Sequence, residues 1–213
     1  MKTIDIHKLK RMLLQVADEI VEYEPYLTEI DTLIGDADHG TGMKRGFESV
    51  RRMLRESEFE TIRELLKTVG VELVKTMGGA SGVIFGTLFI GGLSKLNDGD
   101  TVSLTELAVY FDEGAEAIQR RGKARAGQKT MLDALLPAVE ALKQSADSGT
   151  DMEEALKKAY EMALKGVEAS KMMQSKIGRS KNFQEATIGF PDPGAISTSL
   201  IFKALHDGIN LPD

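Results

Sequence analysis

The sequence predicts an all-α fold, an antiparallel bundle of eight helices with the functional site at one end, built as a single domain over residues 1–213. Three observations predict it. Apolar residues recur at three- and four-residue spacing along eight stretches, glycine, proline or polar turns separate those stretches, and no segment reads convincingly as a strand. With 42% apolar and 28% charged residues, the chain has ordinary globular composition and the length for one sizeable core.

The first helix carries Leu9, Leu13, Val16 and Ile20 on one face after a Thr3 cap, and Pro25 interrupts it before a short continuation to Ile30. Met43, Phe47, Val50 and Leu54 form the second, closed by Glu56-Ser57-Glu58. Thr61 caps a third run with Ile62, Leu65, Val69 and Leu73 inward, which stops at Gly78-Gly79-Ala80-Ser81-Gly82 because each glycine weakens a helix. Val83 to Leu93 is apolar on every side, so length rather than periodicity selects a helix. Ser103 and Glu106 form a capping box for the fifth helix, with Leu104, Leu107, Phe111, Ala115 and Ile118 inward and an end near Gly122. Met131, Leu135, Ala138 and Leu142 mark the sixth, kinked at Pro137. Thr150 and Glu153 form a second capping box before a long seventh helix, Met152 to Met173, whose methionines read as adaptable core filler. Asp192 at the cap and Pro193 in the first turn start the eighth, with Ile196, Leu200, Ile201 and Leu205 inward and Gly208 as its terminator.

The composition also excludes functions. A net charge of -6 argues against nucleic acid as a partner, since binding a phosphate backbone rests on clustered positive charge. The absence of cysteine rules out disulfides and thiolate chemistry and fits a reducing, cytoplasmic setting. No signal-peptide core opens the chain, and Val83–Leu93 is too short and too broken by glycine to span a membrane.

Short connections make neighbouring helices antiparallel, which sends the odd-numbered loops to one end and the even-numbered loops to the other. The odd loops hold all the unusual chemistry. They are Asp31-Thr-Leu-Ile-Gly-Asp36-Ala-Asp38-His39-Gly40, Gly78–Gly82, the basic run Arg120–Lys129, and the irregular chain of residues 176 to 191 with Arg179. Carboxylates as close as Asp31, Asp36 and Asp38 repel one another and want a hard cation between them. A solvated acidic turn is the alternative, and the shared end of the four loops argues against it. Calcium-hand spacing fails, since Thr41 stands at the glycine position and Phe47 at the glutamate position. Zinc is disfavoured because His7, His39 and His206 are scattered. Carboxylates, a glycine-rich turn, basic residues and a proline-started helix together suit a polyphosphate bridged by magnesium, with a nucleotide the natural candidate. No Walker A pattern is present, so the site is not of the P-loop kind.

Four motifs in order, Asp31-x4-Asp36-x-Asp38-His39-Gly40, Gly78-Gly-Ala-Ser-Gly82, Gly127-Gln-Lys-Thr-Met-Leu-Asp133 and Gly189-Phe-Pro-Asp-Pro-Gly194, resemble the nucleotide-binding L subunit of dihydroxyacetone kinase across nearly the whole chain. The resemblance implies an antiparallel barrel of eight helices holding ADP or ATP and two Mg2+ ions at one end. By that likeness Asp31, Asp36 and Asp38 hold the metals, while His39, Gly40, Thr41 and Gly42 line the phosphates. Ala80 and Ser81 contact the nucleotide, and Gly122, Met131, Arg179, Asp192, Pro193 and Gly194 complete its pocket. The sequence departs from the family's pattern at Gly42, where asparagine is frequent, and at Val83-Ile84-Phe85, where Pro-Leu-Tyr is common.

The resemblance further implies a kinase that works only with a dihydroxyacetone-binding K subunit and needs no covalent nucleophile of its own. A phosphotransferase-system protein as phosphoryl donor and self-association as a homodimer complete the expected partners. Two rival readings remain, a kinase domain like that of fatty acid kinase and a non-catalytic nucleotide sensor that docks on a transcription regulator. For single residues, His39 serves either as a phosphate ligand, mainly through its backbone N–H, or as a satisfied loop histidine. Arg179 pairs with the polyphosphate or sits on a solvated loop.

Overall fold

The computed structural model describes residues 2–211, and among them the apolar stripes become nine α-helices. These are α1 (Ile6–Glu22), α2 (Glu24–Ile34), α3 (His39–Glu56), α4 (Ile62–Thr76), α5 (Gly79–Gly91), α6 (Leu104–Gly122), α7 (Leu132–Asp147), α8 (Met152–Ser170) and α9 (Pro193–Ile209). Eight of them close a ring: α1 packs on α3, each helix from α3 to α8 packs on the next, and α9 returns to α1. Neighbours run antiparallel. Lys203 of α9 reaches Glu19 near the end of α1, while Gly208 lies against Met12 nearer its start.

Inside the ring, Val16, Phe47, Val69, Leu88, Phe111, Leu135, Leu156 and Phe202 belong to one continuous buried cluster. Burying a side chain of this kind contributes about 1.5–3 kcal/mol. The polar tip of Tyr110, fully enclosed in that cluster, is satisfied by donating to the Phe89 carbonyl at 2.8 Å.

The ninth helix arises where one was expected to continue. Pro25 stands in the first turn of a new helix, α2, which begins after Tyr23 and packs on α3 and α9. Two short strands also form, β1 (Thr3–Asp5) and β2 (Thr101–Ser103), paired antiparallel with Ile4 opposite Val102. Three-residue strands joined across so long a separation leave no local pattern to read. They tie the start of α1 to the connection between α5 and α6, and nearby the Ile62 amide donates to Gly99 O at 2.9 Å. The end opposite the special loops is fastened in this way.

The Thr61, Ser103 and Asp192 caps form as expected, including the full box between Ser103 and Glu106. Two caps shift. Asp5, not Thr3, accepts the Lys8 amide at 2.8 Å, and Asp151, not Thr150, accepts the Glu154 amide at 3.1 Å, because a carboxylate one or two residues nearer the helix holds the cap position. Helix α8 ends at Ser170, which leaves Met172 80% exposed rather than in the core. Gly208 lies inside α9, where its lack of a side chain lets α1 approach, and the helix runs on to Ile209. Pro137 is carried within α7 without ending it. Among the described residues no helix is long and apolar enough to cross a membrane.

Candidate functional site

Helix α2 delivers Asp31 from its last turn, and residues 35–38 bring Asp36 and Asp38 beside it. One carboxylate oxygen from each of the three lies within 4.8 Å of the others. Two local features make this possible. A Cβ at Gly35 would stand 2.0 Å from Asp31 Oδ1, so only glycine lets the turn close over that carboxylate. Ala37 adopts φ +62°, a left-handed conformation uncommon outside glycine, at the turn between the other two aspartates. Burial first, then the Asp36 and Asp31 charges, push the Asp38 carboxyl above its usual range, while Arg179 pulls it back. Arg179 reaches across from the α8–α9 connection to pair its Nε with Asp36 Oδ2 at 2.7 Å. Asp31 Oδ2 accepts the His39 amide at 3.1 Å, so that amide is engaged within the loop itself.

Helices α3, α5, α7 and α9 all begin at this end. The first turn of α5 differs from a capped start: Gly78 and Gly79 take φ of +73° and +60°, and no side chain caps the helix. Its leading N–H groups therefore have no side-chain partner, and they sit at the positive end of the helix dipole beside exposed Ala80 and half-buried Ser81. Such a terminus suits an anion. Arg45 of α3 holds the approach to it, donating Nε to Thr76 O at 2.8 Å and Nη2 to Met77 O at the end of α4.

The third and fourth loops are fastened by polar groups. Asp133 accepts the Gly127 amide at 2.5 Å and the Thr130 amide at 2.8 Å, and Lys129 donates to Ser170 O and Phe190 O. Asp192 caps α9 by accepting the Ala195 amide at 2.8 Å, and burial raises its carboxyl to about 7. The His39 ring turns toward α9: Nε2 meets Ser197 Oγ at 2.8 Å, and the ring also hydrogen-bonds the Pro193 backbone. Burial lowers the His39 imidazole to about 4, so it stays neutral at ordinary pH and bonds rather than carries charge.

The structure brings the sequence-predicted residues to one end of the barrel. Thr41 is exposed and returns its hydroxyl to Asp38 O at 3.0 Å, while Gly40 is buried where α3 meets α2. Gly42 approaches Met77 O, Gly122 lies over Ile84 of α5, and Gly194 abuts Met131. The Asp192 carboxylate faces its own helix as a cap instead of standing open. Sequence reasoning gave no role to Arg45 and Ser197, and quoted Lys129 and Asp133 only as members of the Gly127–Asp133 motif, though these four hold the loops. Only Asp133 left a local signal, a carboxylate three residues after the Thr130 amide it binds.

A family model described as the DAK2 domain matches residues 33–207. The Escherichia coli (strain K12) protein named PEP-dependent dihydroxyacetone kinase, ADP-binding subunit DhaL, is 39% identical over 180 residues, covering 84% of this chain and 86% of the relative. The Lactococcus lactis subsp. lactis (strain IL1403) protein named PTS-dependent dihydroxyacetone kinase, ADP-binding subunit DhaL, is 36% identical over 188 residues, 88% of this chain and 90% of the relative. The crystal structure of the native dihydroxyacetone kinase of C. freundii is similar over 93% of this chain, with TM-score 0.75 and 26% identity. This chain spans 34% of that longer one. The same enzyme in complex with AMP-PNP and Mg2+ shares the fold with TM-score 0.75 at 24% identity.

Proposed function

Because the chain belongs to the DAK2 domain family, we propose that it is the ADP-binding subunit of a PEP-dependent dihydroxyacetone kinase. It passes a phosphoryl group from a magnesium-bound adenine nucleotide to dihydroxyacetone held on a separate K subunit. The observation that carries this reading is the Asp31, Asp36 and Asp38 triad at the same barrel end as the uncapped start of α5. The first is a hard-oxygen donor set and the second an anion seat.

The residues fit the metal. Three carboxylates gathered within 4.8 Å, with Asp38 raised partly by the other two charges, form a site that a divalent cation relieves, and oxygen donors are what magnesium takes. Asp31, Asp36 and Asp38 would hold two Mg2+ ions, which when bound neutralise phosphate oxygens and bridge them to the protein. The chain's own groups do the rest. The leading amides of α5 and the Ser81 hydroxyl hold phosphate oxygens, and Arg179, already at Asp36, supplies a guanidinium beside them. Gly122, Met131 and the turn Asp192-Pro193-Gly194 wall the rest of the nucleotide, with Gly194 leaving room at Met131. The backbone of His39, Gly40, Thr41 and Gly42 frames the phosphate side.

Phosphoryl transfer needs positioning and charge neutralisation more than covalent chemistry, and this end provides both without a nucleophile of its own. The acceptor hydroxyl, and the group that takes its proton, belong to the K subunit. Recharging of ADP in place by a phosphotransferase-system protein is supported by the PEP- and PTS-dependent names of the two relatives. The reading is tested by denaturing purified protein and chromatographing the supernatant, with ADP titrated in magnesium by calorimetry. Adenine nucleotide released on unfolding, or tight magnesium-dependent ADP binding, is expected; neither being found would remove the reading.

A further inference from the structure

Lys129 is 1% exposed, and among the described residues no other lysine or arginine is buried. Its backbone takes φ +59°, a left-handed conformation that a side chain disfavours and that persists only where the surroundings dictate it. Asp133 dictates it here by binding the amides on either side, Gly127 at 2.5 Å and Thr130 at 2.8 Å. The side chain then runs inward, and Nζ donates to Ser170 O at 2.7 Å and to Phe190 O at 2.5 Å. Ser170 is the last residue of α8, so its carbonyl belongs to the negative end of that helix, where an ammonium is favoured. The Ser170 hydroxyl oxygen accepts the Asp192 amide at 2.9 Å, and Asp192 caps α9. A continuous path of hydrogen bonds thus leads from the third loop to the first turn of α9. Burial works against the Lys129 charge, and the Asp192 and Asp133 carboxylates support it.

We infer that Lys129 is a positioning residue for the nucleotide pocket: its buried ammonium, anchored on the Ser170 and Phe190 carbonyls, fixes where the Asp192–Gly194 turn stands against Met131. This rests on the nucleotide reading of that end. The hydrogen bonds of Lys129 go to Ser170 and Phe190 and its charged neighbours are Asp192 and Asp133, none of them in the acidic loop, so its charge governs nucleotide affinity and leaves the affinity of the carboxylates for a bare cation nearly unchanged. A lysine that served stability alone would move the melting temperature and not the nucleotide affinity of the folded protein.

The chain contains no cysteine, so Lys129→Cys introduces a single thiol. Alkylation in denaturant with 2-bromoethylamine rebuilds an ammonium at lysine length, whereas 1-iodopropane gives a chain of that length without charge. Each full-length product is refolded, ADP binding is measured in saturating magnesium, and binding of Mn2+ alone is followed by electron paramagnetic resonance. The aminoethyl form is expected within about 3-fold of the parent, and the propyl form about 10-fold weaker for ADP or worse, with Mn2+ affinity within about 3-fold throughout. Equal ADP affinity in the two forms would overturn the inference while the nucleotide reading stands. A parent that binds no ADP would overturn both. Should the propyl form fail to refold, Ser170→Ala removes the hydroxyl that accepts the Asp192 amide on the same path and donates to Val167 O within α8, and is expected to weaken ADP several-fold without changing Mn2+ binding. Undiminished ADP affinity in that variant would overturn the inference as well.

Discussion

Asp36→Asn keeps the shape of the acidic loop and removes one of its three charges. With the three oxygens within 4.8 Å, the substitution abolishes two of the three carboxylate repulsions. Each such pair is worth about 1 kcal/mol in water, and because Asp36 and Asp38 are exposed, solvent and salt keep the gain near or below that value. The loss of pairing with Arg179 offsets little, since that arginine is 75% exposed and exposed ion pairs contribute about 0–1 kcal/mol. Without ligand the variant is therefore expected to melt at or slightly above the parent. With magnesium and ADP at about 100 times the parent's dissociation constant, the parent gains about 2.7 kcal/mol, or about 5–11 °C for a chain of this size. If losing a charged metal ligand weakens binding about 100-fold, the same ligand concentration gives the variant only about 0.4 kcal/mol. The order of the two melting temperatures should thus reverse on adding ligand, which differential scanning calorimetry reads directly. Were Asp36 only a turn residue, asparagine would serve about as well and the two curves would stay together. Parallel curves, unresponsive to magnesium and ADP in both proteins, would refute the metal role.

Gly42→Asn tests the departure from the family's pattern: a Cβ there meets only Met77 O at 3.6 Å, an ordinary contact, so the fold should tolerate it with a gain of a few tenths of a kcal/mol from replacing a helical glycine. Its added amide is expected to raise ADP affinity by roughly 5-fold, the worth of about one hydrogen bond, and a fall of that size in calorimetry would contradict the placement of Gly42 beside the phosphates. Asp192→Asn tests the buried cap through pH. The folded carboxyl, raised to about 7, holds its proton better than the unfolded one, so its contribution to stability is present below about pH 4 and lost as pH rises toward 7. The variant should therefore gain on the parent by about 1.4 kcal/mol per pH unit across that window, with asparagine still capping α9. His39, lowered to about 4, has the opposite slope, but it is common to both proteins and cancels in the difference. A pH-independent difference in urea midpoints would show that burial does not govern Asp192.

Most stripes were legible because the helix buries one face, and Leu9 to Ile20 or Leu65 to Leu73 record that face residue by residue, whereas α5 is apolar on every side and α9 is buried nearly all round. Cap identity was less so. Thr150 and Asp151 are both good caps, and composition alone does not choose between neighbours; the structure uses Asp151, the nearer to the helix. The glycines of Gly78–Gly82 were read as ending a helix, yet Gly79 begins one, since two left-handed glycines turn the chain directly into α5. At the site, the three aspartates announced themselves by spacing, whereas nothing in the basic run Arg120–Lys129 marked Lys129 as the one buried charge. Its partners are carbonyls 41 and 61 residues away, and carbonyls carry no sequence signature. Arg45, in mid-helix, was invisible for the same reason, because it binds the Thr76 and Met77 carbonyls at the end of α4.

The most direct test of the account is phosphorylation of dihydroxyacetone measured with this chain alone, with the cognate K subunit alone, and with the two together, each charged with Mg-ATP. In this account only the mixture makes dihydroxyacetone phosphate, because the nucleotide end described here holds the donor while the partner holds the acceptor. Turnover by this chain alone, or no transfer by the mixture of two folded, ligand-bound proteins, would contradict it.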